Sequence, residues 1–136
     1  MRDSRDVFHI AIPTNDLDTA VGFYVGKLGC KLARRYDDRV TFDFFGDQLV
    51  CHLTPVTEVT PMSELNLYPR HFGVTFRDGT AFMAFYDLCN QRDVPFFSKL
   101  TKRFEGLVEV HQLFVICDPS SNLLEFKHYA DPRMMY

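Results

Sequence analysis

The stretch that decides the fold lies near the start of the chain, at residues 7–13, which read VFHIAIP. As a β-strand, it places three apolar side chains on one face and His9 with Ala11 on the other. Residues 70–76, RHFGVTF, repeat the arrangement with His71 in the place of His9. The sequence therefore predicts two strands that each bear an apolar face and a face with a single histidine.

Each of these strands opens a module with the same order of elements. Capping side chains at residues 14–16 precede apolar residues at helical spacing up to Leu28, and Gly29 ends that helix. The first module continues with predicted strands at residues 31–36, 40–45 and 48–53. The second has a strand at 71–76, a helix at 79–91 opened by Asp78, and strands near 96–104, 110–117 and 122–129.

The pattern predicts an α+β fold made of two βαβββ modules in one domain, residues 1–136. Module one covers about residues 7–53, a linker covers about 54–69, and module two covers about 70–130. A shift of 62 residues lays His9 on His71, and a shift of 73 lays His52 on Glu125, which indicates an internal duplication. We expect the strands to form a half-open, eight-stranded, barrel-like sheet with the helices outside.

The strand faces left uncovered by the helices carry a set of metal-binding residue types. Alternation along the strands directs His9, His52, His71 and Glu125 toward the concave side. Imidazole and carboxylate groups bind zinc, nickel, manganese or ferrous iron, and two histidines with one carboxylate form the facial set of non-haem Fe(II) oxygenases. The sequence predicts a divalent metal site with Fe(II) favoured, in which His52 is either a fourth ligand or an acid–base residue.

Simpler interpretations remain open for each of these residues. A histidine in a strand is often an ordinary core or surface residue, and Glu125 could form an ion pair with Lys127 or Lys31. Besides His52, the candidates for catalytic residues are His111, whose facing the pattern leaves open, and Tyr129.

Composition excludes several classes of partner. The net charge is −3, with scattered basic residues, so we expect no nucleic-acid binding. No segment has the apolar length of a bilayer span or a signal peptide, which predicts no membrane association and a cytoplasmic location.

The four cysteines show no CxxC spacing and are expected to be reduced, buried thiols. Fourteen phenylalanines suit an apolar or aromatic ligand pocket, with Phe42, Phe44 or Phe114 as possible walls.

Several motifs resemble those of the vicinal oxygen chelate superfamily, which includes glyoxalases, extradiol dioxygenases, and fosfomycin and bleomycin resistance proteins. They are FHIA at residues 8–11, DTAVGFY at 18–24, RHFGV at 70–74 and CDPSSNLLEF at 117–126. The resemblance implies a metal at His9, His71 and Glu125, with His52 at the place of the acidic or amide ligand of glyoxalases. The turn at 119–122 lacks the glycine common in that family, and Asn122 is expected to adopt the left-handed conformation instead.

The function that this resemblance and the ligand set favour is an extradiol-type Fe(II) dioxygenase acting on a small, oxygen-chelating, aromatic substrate. A glyoxalase-like nickel or zinc lyase or isomerase is the second hypothesis. The third is a small-ligand binding protein of the resistance type. Members of the superfamily commonly pair their modules across a dimer, and exposed sheet edges give a physical motive for a homodimer.

Overall fold

The computed structural model describes residues 3–55 and 59–136, so part of the predicted linker, residues 56–58, lies outside the described residues. The chain forms two compact units, Met1–Val59 and Thr60–Tyr136. Each unit contains one of the two predicted modules, while the grouping of both modules into a single domain stays a prediction.

The first unit is a four-stranded sheet with one helical segment. Its elements are β1 (His9–Thr14), α1 (Leu17–Val21), a π-helical segment (Gly22–Lys27), β2 (Lys31–Arg35), β3 (Arg39–Phe44) and β4 (Asp47–Leu53). The strand order is β1-β4-β3-β2, with β1 parallel to β4 and the other pairs antiparallel.

The second unit repeats this topology with a longer helix. After a short 3-10 helix (Met62–Glu64) come β5 (Phe72–Phe76), α2 (Gly79–Gln91), β6 (Phe96–Arg103), β7 (His111–Cys117), β8 (Leu123–Tyr129) and a 3-10 helix (Pro132–Met135). The order is β5-β8-β7-β6, with β5 parallel to β8. The predicted α+β class with two βαβββ modules is confirmed, and neither sheet closes on itself.

Both helices begin at the aspartates that the sequence indicates. Asp16 accepts a hydrogen bond from the backbone N–H of Thr19 at 2.7 Å, and Asp78 accepts from those of Thr80 and Ala81 at 3.0 and 3.3 Å. These bonds satisfy N–H groups that have no partner within the helix, which fixes where each helix starts.

The first helix differs from the expected continuous α-helix up to Leu28. The α-helical hydrogen bonding ends at Val21, and Gly22–Lys27 form a π-helical segment in which Leu28 N–H donates to the Phe23 carbonyl at 3.0 Å. The two glycines of this segment, Gly22 and Gly26, weaken the α-helix by their poor propensity. The predicted stop at Gly29 fits its left-handed φ of 78°.

Aromatic residues fill the layer between each helix and its sheet. In the first unit Tyr24 is fully buried, with its ring centroid 5.1 Å from that of Phe42 and 6.4 Å from that of Phe44. In the second unit Phe114 is fully buried, 5.4 Å from Phe82 and 5.3 Å from Phe126. All three are core residues on the helix side, but Phe42 also lines an open depression of the first sheet, so a role for Phe42, Phe44 or Phe114 in walling a ligand pocket stays a prediction.

The other composition-based expectations have simple outcomes. All four cysteines are free and buried, as predicted. Within residues 3–55 and 59–136, no helix combines the length and apolar character that crossing a bilayer requires.

Candidate metal centre

Two of the predicted ligands meet on the face of the second sheet that lies away from α2. His71 Nε2 is 3.4 Å from Glu125 Oε2, and the Glu125 side chain is only 7% exposed while that of His71 is 25% exposed. His71 immediately precedes β5, and Glu125 lies within the parallel β8, where its register partner is Gly73. The predicted alternation of faces along both strands therefore holds in this unit.

A backbone contact sets the orientation of the His71 ring. Its Nδ1 lies 2.9 Å from the carbonyl oxygen of Leu67. A carbonyl can only accept, so Nδ1 carries a proton and donates, and the other ring nitrogen, Nε2, faces the Glu125 carboxylate. Metal-ligating histidines characteristically make this kind of hydrogen bond through the second ring nitrogen.

The separation of the two donor atoms fits a shared divalent cation. An imidazole nitrogen and a carboxylate oxygen 3.4 Å apart are donors of the types that zinc, nickel, manganese and ferrous iron take. The two side chains would therefore be able to hold one ion between them.

The absence of a side chain at Gly73 brings the β5 and β8 backbones together beside these ligands. A Cβ atom at Gly73 would lie 1.7 Å from the Glu125 carbonyl oxygen and 2.7 Å from its carbonyl carbon. Both are backbone atoms, so no side-chain rotation relieves the overlap. A glycine within a strand often marks a close backbone approach, and this signal was available in the sequence.

Lys127 is a third charged group at the same carboxylate. Its Nζ lies 3.0 Å from Glu125 Oε2, the oxygen that also faces His71, and its side chain is 30% exposed. The ion-pair interpretation of Glu125 is thus confirmed for Lys127, and it coexists with the histidine contact. An open depression of about 200 Å³ exposes this group of residues. It is lined by His71, Phe72, Gly73, Val74, Thr75, Glu125 and Lys127.

The first unit places His9 at the start of β1, beside Gln48 of β4, with its side chain exposed. His52 also lies on the uncovered face of this sheet, but it pairs with Pro13 at the far end of β1. Four residues along a strand correspond to about 13 Å. His9 and His52, which the sequence analysis assigns to one site, are therefore about 13 Å apart along the strand direction.

Strand register also corrects the alignment of the two modules. Gly73, two residues after His71, pairs with Glu125, and Ala11, two residues after His9, pairs with Val50. Val50 is thus the counterpart of Glu125, which makes the shift between β4 and β8 75 residues. The shift of 73 that matched His52 to Glu125 is wrong by two residues, and the proposed role of His52 as a ligand stays a prediction.

The two remaining catalytic candidates lie against each other. The rings of His111 and Tyr129 have centroids 4.6 Å apart, and His111 Nδ1 is 3.0 Å from the Glu109 carbonyl oxygen. Register places both on the Glu125 face, which settles the facing of His111. Tyr129 is four residues beyond Glu125, about 13 Å along the strand. A catalytic role for this pair remains a prediction.

The turn before β8 is built differently from the expectation. Ser121, with φ of 69°, is the left-handed residue, so the assignment of that conformation to Asn122 is wrong. Asn122 instead donates from its backbone N–H and its side-chain amide to the Asp118 carboxylate, both at 2.8 Å. These bonds satisfy the buried Asp118 and fix the start of the strand that carries Glu125.

His71 and Glu125 are the two predicted ligands that lie in contact with each other. In the part of the chain that the structure describes, no three or more His, Cys, Asp or Glu side chains are grouped so that they could hold a metal ion. His71 and Glu125 therefore form the candidate centre of the second unit, and any further ligand is a matter of proposal.

Comparison with known proteins shows the family to which the chain belongs. The family model for the glyoxalase/bleomycin resistance protein/dioxygenase superfamily matches residues 6–126, and the chain belongs to this superfamily. A solved glyoxalase/bleomycin resistance protein/dioxygenase from Alicyclobacillus acidocaldarius is 60% identical, with TM-score 0.92 and 100% of both chains covered.

More distant structures share the fold. A lactoylglutathione lyase from Agrobacterium tumefaciens is 16% identical with TM-score 0.66, and the match covers 90% of this chain and 92% of that one. The genomically encoded fosfomycin resistance protein FosX from Listeria monocytogenes is 12% identical with TM-score 0.67, covering 96% and 98%. No curated protein sequence matches the chain.

Proposed function

We propose that the protein is a metal-dependent enzyme of the vicinal oxygen chelate type, with His71 and Glu125 as ligands and His9 as the third. The observation that carries the proposal is the 3.4 Å contact between His71 Nε2 and Glu125 Oε2, with the proton of the imidazole held on the opposite nitrogen by Leu67. The inclusion of His9 rests on its equivalence to His71 in the internal duplication. A divalent metal bound by these residues would supply Lewis-acid or redox chemistry to a chelating substrate.

The valine at position 50 favours the dioxygenase among the candidate reactions. Because Val50 is the counterpart of Glu125, the duplication supplies three protein ligands rather than four. Two histidines and one carboxylate leave positions open for a bidentate substrate and dioxygen, which is the Fe(II) oxygenase pattern. We therefore favour an extradiol-type Fe(II) dioxygenase acting on a small aromatic diol, with His52 as an acid–base residue rather than a ligand.

A nickel or zinc lyase or isomerase is the second candidate, with manganese also chemically compatible with the donors. It is supported by the donor types alone, because imidazole and carboxylate groups also bind nickel and zinc, and His52, about 13 Å along the strands from His9, adds no support as a fourth donor. The two candidates differ in their need for oxygen. Activity with zinc under argon would identify the lyase, whereas oxygen uptake that requires Fe(II) would identify the dioxygenase.

The test begins with metal binding and then turns to turnover. Protein loaded anaerobically with Fe(II) is exposed to oxygen with a panel of catechols, and oxygen uptake is measured. Glu125→Gln should abolish uptake and weaken metal binding by at least about tenfold, because it removes a charged ligand. Glu105→Gln is the matched control, since Glu105 is an exposed carboxylate paired with Lys102.

Two outcomes would overturn the proposal. If Glu125→Gln binds metal as tightly as the parent protein, the carboxylate is not a ligand. If the protein binds a small aromatic ligand equally well with and without metal, it is a binding protein of the resistance type. A homodimer and a cytoplasmic location accompany the proposal as expectations from the sequence.

A further inference from the structure

One oxygen of the Glu125 carboxylate lies close to both Lys127 and His71. Oε2 lies 3.0 Å from the Lys127 ammonium and 3.4 Å from His71 Nε2. A carboxylate has two oxygens with about four acceptor sites, so it could hold a metal and accept from the ammonium at the same time. Lys127 and a metal held by His71 and Glu125 would therefore be two cations beside one carboxylate.

The surroundings of Lys127 provide no second anion within its sheet. Its register partners are Thr75 on β5 and Leu113 on β7, both uncharged, and Leu113 is almost fully buried. Among the described residues of the second unit, the ion pair of Lys127 is the one with Glu125. An ammonium in a partly buried position that loses its only carboxylate is costly, since such a charge needs an opposite charge or water.

The charge of the assembled centre follows from these contacts. A divalent cation and Lys127 together carry three positive charges, and Glu125 supplies one negative charge. At a site screened less than the protein surface, the two cations repel each other strongly. A ligand that brings a negatively charged oxygen to the depression would relieve this repulsion and replace Glu125 as the partner of the ammonium.

We propose that Lys127 makes the centre selective for anionic ligands, because its ammonium lies at the carboxylate that would hold the metal and an anion offsets the repulsion between the two cations. The inference rests on the proposed function in that it needs a metal at His71 and Glu125. By the reciprocity of linkage, an anion then tightens metal binding and the metal tightens anion binding. Lys127 is a specificity-determining residue for a substrate that carries an ionised oxygen.

The test measures Co(II) affinity by calorimetry and by the visible bands of the ion, with sodium azide as the anionic probe. Sodium perchlorate, a weakly coordinating salt, holds the ionic strength constant. Lys127→Met should bind Co(II) about tenfold more tightly than the parent protein, because the competing charge is gone. The tightening of Co(II) binding by azide should be large in the parent protein and at least about fivefold smaller in Lys127→Met.

Two further variants separate charge from packing. Lys127→Arg keeps the charge and should behave like the parent protein in both measurements. Lys102→Met removes an exposed lysine on β6 that pairs with Glu105, and it should leave both values unchanged.

Equal or weaker Co(II) binding by Lys127→Met, or an unchanged effect of azide, would overturn the inference while leaving the metal site intact. Failure of the parent protein to bind Co(II), or binding that ignores Glu125→Gln, would overturn the proposed function as well. The two failures are therefore distinguishable.

Discussion

Replacing Gly73 by alanine should separate β5 from β8 beside the candidate metal ligands. The added Cβ would lie 1.7 Å from the Glu125 carbonyl oxygen, so the strands must part by roughly 1.3 Å to reach 3.0 Å, the distance below which such contacts essentially never occur. Since the obstructing atoms are backbone, the whole strand has to move. We expect a loss of about 3 kcal/mol in the free energy of unfolding, at the upper end of overpacking effects.

The assay is urea unfolding followed by circular dichroism, combined with Co(II) titration. Displacement of β8 should also move the Glu125 carboxylate, so Co(II) affinity should fall by at least about tenfold. Gly22→Ala is the matched control, because Gly22 has helical φ and nothing within 4 Å of an added Cβ, and it should stabilise by up to about 1 kcal/mol. An unfolding midpoint for Gly73→Ala equal to that of the parent protein would refute this account of the strand contact.

Four further predictions concern the scaffold. Asp78→Ala should lower the free energy of unfolding by about 1 kcal/mol through loss of the helix cap, and Asp78→Asn should largely restore it, as urea unfolding will show. Asp118→Ala should cost about 2 kcal/mol in the same assay, because three hydrogen bonds to a buried carboxylate disappear. Burial raises the pKa of the Cys30 and Cys89 thiols to about 12 and that of Cys117 to about 11, so an aromatic disulfide reagent should modify none of them in the folded protein at pH 8 and all of them in urea. Because these values exceed the ordinary 9.0, the protonated thiols stabilise the fold fully below about pH 9, and stability should fall as the pH rises toward 12.

The sequence allowed the elements and their faces to be predicted because alternation and capping are local signals. The helix at Gly79–Gln91 and the facing of His71 and Glu125 away from that helix follow from side chains close together in the chain. Strand register between β1 and β4 depends on contacts between distant residues. A slip of two residues preserves every face, so alternation alone could not distinguish His52 from Val50 as the counterpart of Glu125.

The other error has a local cause. The left-handed residue of the turn before β8 is Ser121 rather than Asn122, because the Asn122 amide is used to bind Asp118. Counting aromatic residues indicated a ligand pocket, which stays a prediction, and the parity of Phe114 puts it beneath α2 with the other rings. Lys127 had a recognisable partner in the sequence, yet the sharing of one carboxylate oxygen with His71 required coordinates.

Val50 shows how two copies of a duplicated module can differ in the metal-binding residues that they carry. Both halves have an imidazole at the head of the leading strand, whereas at the matched position of the neighbouring strand the first half has Val50 and the second has Glu125. The number of protein donors in such an architecture would depend on the identity of one side chain on the sheet face away from the helix. A single codon could therefore change how many donors the chain offers to a metal.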